Sequence, residues 1–67
     1  MNAFVFLANG FEEIEAITPI DMLRRAGAEV VTVSVNDTAA VTGAHNIVVN
    51  ADKTINEIDG VWRVVVI

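Results

Sequence analysis

The pattern of apolar and polar positions in residues 1–35 predicts a strand, a helix and a second strand. Residues 3–8 are a continuous apolar run that ends at the turn dipeptide Asn9-Gly10, which is typical of a strand buried on both faces of a parallel sheet. Residues 11–26 predict a helix that ends at Gly27, a residue that commonly adopts the left-handed conformation there. Residues 29–35 are rich in valine and threonine and predict a strand. Together they indicate one βαβ unit.

The second half of the chain predicts shorter elements. Residues 40–42 and 46–49 are interpreted as the arms of a hairpin whose turn contains Gly43-Ala44-His45. Residues 54–58 are expected to form one helical turn, with Thr54 as the cap and Glu57 completing a weak capping box. Residues 61–67 predict a further, largely apolar strand. The predicted fold class is therefore α/β, with a mostly parallel sheet.

The predicted sheet needs more cover than these residues provide. A strand buried on both faces requires helices on both sides of its sheet, and the sequence predicts one helix of useful length. We therefore expect residues 1–67 to be the N-terminal part of a longer single domain. The alternative is a complete protein whose apolar strand is covered in a homo-oligomer.

One acidic residue of the predicted helix falls on an unexpected face. At about 100° per residue, a helical wheel places Phe11 and Met22 on an apolar arc that also contains Glu12 and Glu15, and it places Glu13 on the polar arc. The helix macrodipole explains Glu12 and Glu13 as first-turn acids. Glu15 lies deeper in the helix, so we expect its carboxyl group to press against an apolar surface. A carboxyl group in that setting is suited to act as a general acid or base.

Other positions of the helix break the pattern in different ways. Ile14 and Ile17 fall on the polar arc and indicate a contact surface such as a dimer seam, or simply exposed side chains. Pro19 predicts either a kink or two short abutting helices. Asp21 lies three and four residues before two arginines, Arg24 and Arg25, and is interpreted as part of a solvated ion pair.

Composition narrows the possible functions. The 67 residues contain no cysteine and one histidine, so they carry no disulfide, no cysteine nucleophile and no thiolate metal site, and we predict no metal. The net charge of −5 argues against nucleic acid and anionic membranes as partners. No apolar run approaches the roughly 20 residues of a membrane span. A cytoplasmic protein is the default expectation.

No cofactor is predicted either. The sequence lacks a glycine-rich phosphate loop after its first strand, and three acids at the helix start would repel a pyrophosphate. His45, in the predicted hairpin turn, is interpreted as polar surface.

The first strand, turn and helix resemble a known family. Residues 6–16, 18–21 and 23–27 are similar to the ThiJ/PfpI superfamily, and most similar to the branch of the Parkinsonism-associated protein deglycase and its bacterial relatives. Residues 43–45 and 51–52 are also in the family register. The resemblance implies a flavodoxin-like α/β sandwich, normally a homodimer, of more than twice this length.

The resemblance also implies roles for individual residues. In that family the catalytic residue is a cysteine outside this segment, and Glu15 matches the glutamate that hydrogen-bonds it. Asp21 and Arg25 match positions that line the pocket or the dimer seam, and Ile14 matches an interface residue. His45 stands where relatives often carry an arginine that reaches toward the site.

The implied function is that of a cysteine-dependent glyoxalase or deglycase acting on methylglyoxal or related reactive carbonyls. Its expected partners are a small carbonyl substrate, the remaining segment of the domain and a second copy, and this segment alone is expected to be inactive. The alternatives are a redox-sensing or chaperone-like dimer and an intracellular peptidase of the same superfamily.

Overall fold

The computed structural model describes residues 2–58 and 63–66. Within them, the elements follow the predicted order. The first strand, helix and second strand are β1 (Asn2–Leu7), α1 (Glu13–Arg25) and β2 (Glu29–Ser34). The later elements are β3 (Ala40–Thr42), β4 (Val48–Asn50), β5 (Lys53–Thr54), a 3₁₀ turn (Ile55–Glu57) and β6 (Arg63–Val66). The predicted last strand began at Val61 and ended at Ile67, and its positions 61, 62 and 67 lie outside the described residues.

Four strands form a parallel sheet in the order β5-β2-β1-β6, which confirms the predicted class. The central strand is β1, with Val5 opposite Thr32 on one side and Val65 on the other. Its neighbours on the two sides are β2 and β6, so the order of strands reverses at β1. In open α/β sheets, ligands bind beyond the carboxyl ends of the strands at such a reversal. The turn after β1 therefore lies where this architecture places its sites.

The core lies between the sheet and α1. Val5 and Leu7 from β1 and Val30 from β2 pack with Ala16 and Ile20 of the helix. Phe11 and Val41 extend this cluster toward the hairpin. Phe4, on the opposite face of β1, is also buried, so most of this strand is covered on both faces as predicted.

One helix runs from Glu13 to Arg25 with Pro19 inside it, so the proline neither ends it nor starts a second one. The expected helix began at residue 11, but Phe11 precedes the helix and packs its ring into the core. At the other end, Gly27 adopts φ +90°, which confirms the predicted left-handed position. Its N–H donates to Arg24 O and the next N–H, that of Ala28, donates to Leu23 O. These two bonds form the Schellman motif that satisfies carbonyls at a helix end.

The remaining short elements agree with the sequence in kind and differ in their bounds. β3 and β4 form the predicted antiparallel hairpin, with Val41 opposite Val49. In the 3₁₀ turn, Glu57 Oε1 accepts hydrogen bonds from the N–H and hydroxyl of Thr54, which is the glutamate half of the predicted capping box. Among the described residues, no helix is long and apolar enough to cross a membrane.

Candidate functional site

The turn that follows β1 is bonded directly to the hairpin. Gly10 has φ +91° and sits in a β-turn closed by the Phe11 N–H, which donates to Ala8 O. The Gly10 N–H donates to Thr42 O, and the Thr42 N–H donates to Asn9 Oδ1. These bonds hold the β1–α1 turn against the end of β3.

The same pairing continues into the first turn of α1. The Ala44 N–H donates to Phe11 O at 2.8 Å. The His45 N–H donates to Glu13 Oε2 at 2.8 Å, and His45 Nδ1 lies 2.8 Å from Glu13 Oε1. An ionised carboxylate accepts and does not donate, so Nδ1 carries the proton of this second bond. We call this pair of bonds the Glu13–His45 clamp, because it fixes the hairpin turn to the helix N-terminus.

Glu13 is the buried acid of the helix. The residue is 8% exposed, and both oxygens of its carboxylate are hydrogen-bonded to His45. The side-chain hydrogen bond from His45 outweighs the effect of burial and lowers the pKa of Glu13 to about 2. The same bond, with the negative charges of Glu13 and Glu12, raises the pKa of His45 above its ordinary value. Near neutral pH, Glu13 is therefore ionised and hydrogen-bonded.

The expectation that Glu15 presses against an apolar surface is wrong, because its side chain is exposed. The buried positions of α1 are Glu13, Ala16 and Ile20. The helical wheel had included Phe11, which lies before the helix and therefore carries no information about its phase. It also placed Met22 on the buried arc, whereas Met22 is 63% exposed. When Phe11 and Met22 are left out of the wheel, the centre of the buried arc lies closer to Glu13 than to Glu15.

Glu15 nevertheless lies in the same cleft as the clamp. An open cleft of about 450 Å³ is lined by Glu12, Glu13, Ile14, Glu15, His45 and Ile47. Its apolar wall consists of Ile14 and Ile47, which are 81% and 54% exposed. The exposure of Ile14 and Ile17 confirms that they face outward from the helix. The cleft thus combines three carboxyl groups, one imidazole and an apolar surface at the start of α1.

Asp21 and Arg25 are two turns away from this cleft. Arg25 Nε donates to both carboxylate oxygens of Asp21, at 3.0 and 3.1 Å, and both side chains are largely exposed. Arg24 instead pairs with Asp52 Oδ2 at 2.9 Å. Asp21 lines a second cleft, between α1 and the hairpin, which it shares with Arg24 and Asp52. The structure therefore groups Glu15, Ile14 and His45 and separates them from Asp21 and Arg25.

The interpretation of His45 as plain polar surface is incomplete, and the sequence reasoning missed the role of Glu13. The two residues are 32 positions apart, so no local pattern connects them. Gly43 carried a partial signal. A Cβ added at Gly43 would collide with the Glu13 carboxylate, so any larger residue there has to displace the acid from its present position.

Comparison with known proteins agrees with this architecture. The sequence matches the DJ-1/PfpI family over residues 1–67. Protein DJ-1 homolog B of Arabidopsis thaliana is 37% identical over 62 residues, which are 91% of this chain and 14% of that protein. Deglycase TK1284 of Thermococcus kodakarensis is 34% identical over 59 residues, which are 88% of this chain and 35% of the deglycase.

Comparison with solved structures points to the same family. Oxidized DJ-1 of Toxoplasma gondii superposes with a TM-score of 0.85 at 43% identity, over 97% of this chain and 36% of that one. The chain is therefore a flavodoxin-like α/β segment with an acidic first helical turn. It belongs to the DJ-1/PfpI family. It spans about a third or less of the length of these relatives.

The opposite pKa shifts of Glu13 and His45 predict a window of greatest stability. The Glu13 contribution is present above its ordinary pKa of 4.5 and is lost as the pH falls toward about 2. The His45 contribution is present below its ordinary pKa of 6.5 and is lost as the pH rises through the raised value. The clamp is therefore strongest between about pH 4.5 and 6.5. In urea unfolding, the loss of free energy of unfolding caused by His45→Ala, relative to the wild type, should be largest inside this window. An equal loss at all pH values would contradict the prediction. Glu29→Gln is the control, and its effect should not peak in this window.

The position of Gly43 predicts that Gly43→Ala will open the clamp. The added methyl group occupies the space of the Glu13 carboxylate, which must rotate away from His45. NMR titration should then show the His45 pKa falling back toward its ordinary value, and the variant should be less stable than the wild type. In a Glu13→Ala background the same substitution should cost much less, because the colliding carboxylate is gone. An unchanged His45 pKa in Gly43→Ala would refute this account.

Proposed function

We propose that the protein is a cysteine-dependent glyoxalase- or deglycase-like enzyme of the DJ-1/PfpI family that acts on methylglyoxal or related reactive carbonyls. Membership in the family and similarity to a protein named as a deglycase support this class of activity. Residues 1–67 contain no cysteine, so the proposed nucleophile belongs to a part of the domain outside them.

The observation that carries the proposal is the position of Glu15. Its carboxyl group is exposed in an open cleft, on the first turn of α1. That turn follows β1 at the reversal of strand order, where α/β folds place ligands. The clamp and the bonds from residues 9–11 to the hairpin hold the turn in place. A carboxyl group held on a rigid element and open to the cleft is well placed to exchange a proton with a reacting group.

In the proposed reaction, a cysteine thiolate attacks the carbonyl carbon of the substrate. The electron pair of the C=O bond moves to the oxygen, and Glu15 supplies the proton that this oxygen takes up. Before the attack, the Glu15 carboxylate accepts the proton of the thiol, so one proton passes from sulfur to oxygen through Glu15. Glu13 does not carry this proton, because its pKa of about 2 keeps it ionised and both oxygens are occupied by His45.

Two exposed isoleucines of α1 support a second part of the proposal, a homodimer. Ile14 and Ile17 lie one turn apart on the outer face of α1 and are 81% and 42% exposed. Burying such β-branched side chains against a second copy would remove apolar surface from water.

The proposal predicts that Glu15→Gln in the whole protein will lower methylglyoxal turnover. Proton transfer by a positioned side chain contributes about 10²–10⁴-fold, so kcat should fall by at least about 100-fold. Glu29→Gln is the matched control, since Glu29 is an exposed acid at the amino end of β2, whereas Glu15 follows the carboxyl end of β1. It should leave kcat unchanged.

Unaltered turnover in Glu15→Gln would remove Glu15 from the mechanism. Absence of turnover in the wild-type protein would contradict the enzymatic proposal itself and favour a redox-sensing role.

A further inference from the structure

The first turn of α1 and the hairpin turn bring together a mixed set of nitrogen and oxygen donors. Glu12, Glu13 and His45 each offer one donor atom, and these atoms lie within 4.8 Å of one another. They come from two elements that the sequence separates by 32 residues. The sequence predicts no metal because it has a single histidine and no cysteine, and the fold adds the two carboxylates that the composition could not place.

We propose that Glu12, Glu13 and His45 bind a divalent transition-metal ion of the zinc type, with the fourth position open to the cleft. The site is independent of the proposed catalytic function, since none of its three donors is Glu15 or the cysteine.

The distances between donors suit such an ion. With bonds of about 2.1 Å, two donors of a tetrahedral zinc site are separated by about 3.4 Å. His45 Nδ1 lies 2.8 Å from Glu13 Oε1 and 3.9 Å from Glu12 Oε2, so the two separations bracket the required value. Glu12 is exposed, so rotation of its side chain brings its oxygen to the required distance from the other two donors, which lie within 4.8 Å of it. The Glu13–His45 pair opens by about 0.6 Å to admit the ion.

The donor from Glu13 is already oriented by its surroundings. The His45 N–H donates to Oε2 and thereby turns Oε1 toward the imidazole. Hydrogen bonds of this kind to a ligating carboxylate are the usual support of metal ligands. Glu13 is also nearly buried, so its carboxylate does not have to be immobilised when the ion binds.

The charge of the cleft favours a cation. Its lining residues include three glutamates and neither lysine nor arginine. The apolar wall of Ile14 and Ile47 limits water on one side, which strengthens the attraction between the carboxylates and an ion. An imidazole donor selects against Mg²⁺ and Ca²⁺, which prefer oxygen ligands, and in favour of zinc-like ions.

Binding replaces one proton and involves no redox change. The Nδ1–H bond of His45 breaks, the Nδ1–metal bond forms, and Nε2 carries the proton of the bound, neutral imidazole. If His45 starts as the imidazolium, its Nδ1 proton passes to solvent; if it starts neutral with the proton on Nδ1, that proton is transferred through solvent to Nε2. The hydrogen bond between Nδ1 and Glu13 Oε1 is exchanged for two bonds to the same ion. The clamp therefore keeps its two anchors, and the ion lies between them.

Calorimetric titration of the whole protein with Zn²⁺ tests the proposal, with Mg²⁺ as the comparison ion. We expect one saturable Zn²⁺ site per chain at these residues and no Mg²⁺ binding. His45→Gln and Glu12→Gln, both at exposed positions, should each weaken Zn²⁺ binding at least about tenfold. Glu29→Gln removes the same charge far from the cleft and should bind Zn²⁺ like the wild type.

An NMR titration supplies a second readout that does not depend on activity. Zn²⁺ should shift the imidazole signals of His45, assigned by their absence in His45→Gln. The proposal is overturned if Zn²⁺ leaves these signals in place, if the site survives either His45→Gln or Glu12→Gln, or if Mg²⁺ binds as tightly as Zn²⁺.

Discussion

A nearly buried carboxylate at the start of a helix fixes the geometry of this segment. Glu13 lies at the N-terminus of α1, where the helix dipole favours negative charge, and its two oxygens accept hydrogen bonds from the backbone and the ring of His45. Gly43 has no side chain, and the carboxylate of Glu13 lies in the space that a Cβ at this position would occupy. Burial of an ionised group is costly unless the group is paired, and here the pairing is complete. The helix start and the hairpin turn are therefore held as one unit.

The arrangement of the cleft follows from this unit. Hydrogen bonds between residues 9–11 and Thr42 and Ala44 join the turn after β1 to the hairpin. The Glu13–His45 clamp adds the next contact along the same two segments. With Glu13 turned inward, the neighbouring residues Ile14 and Glu15 must face outward, because successive residues of a helix point about 100° apart. The inward orientation of Glu13 therefore explains both the exposure of Ile14, an apolar residue, and the exposure of Glu15, which was expected to be buried.

Local patterns in the sequence were sufficient for most of the fold. The apolar run of β1, the valine-rich β2 and the left-handed Gly27 each depend on neighbouring residues, and each was predicted correctly in kind. The resemblance to a family added the flavodoxin-like class, which the comparisons confirm. The prediction that residues 1–67 form part of a longer single domain stays a prediction.

The candidate site was harder to predict because it depends on a contact between distant residues. The wheel took its phase from Phe11, whose ring is buried by the core although the residue lies before the helix. It therefore assigned burial to Glu15 and solvent to Glu13, the reverse of the structure. The hairpin that covers Glu13 lies some 30 residues further along the chain, beyond the reach of any helical periodicity. The role proposed for Glu15 survives this correction, because it requires access to the cleft and not burial.

Amide hydrogen exchange at His45 tests the central claim most directly, namely that the Glu13 carboxylate holds the hairpin turn to the helix. The His45 N–H donates to Glu13 Oε2, whereas the Gly10 N–H donates to a backbone oxygen of Thr42. In the wild-type protein both amides should be protected. In Glu13→Ala, protection of the His45 amide should disappear while that of Gly10 persists. A His45 amide that exchanges equally fast with and without the Glu13 carboxylate, in a variant that keeps the Gly10 bond, would contradict the account.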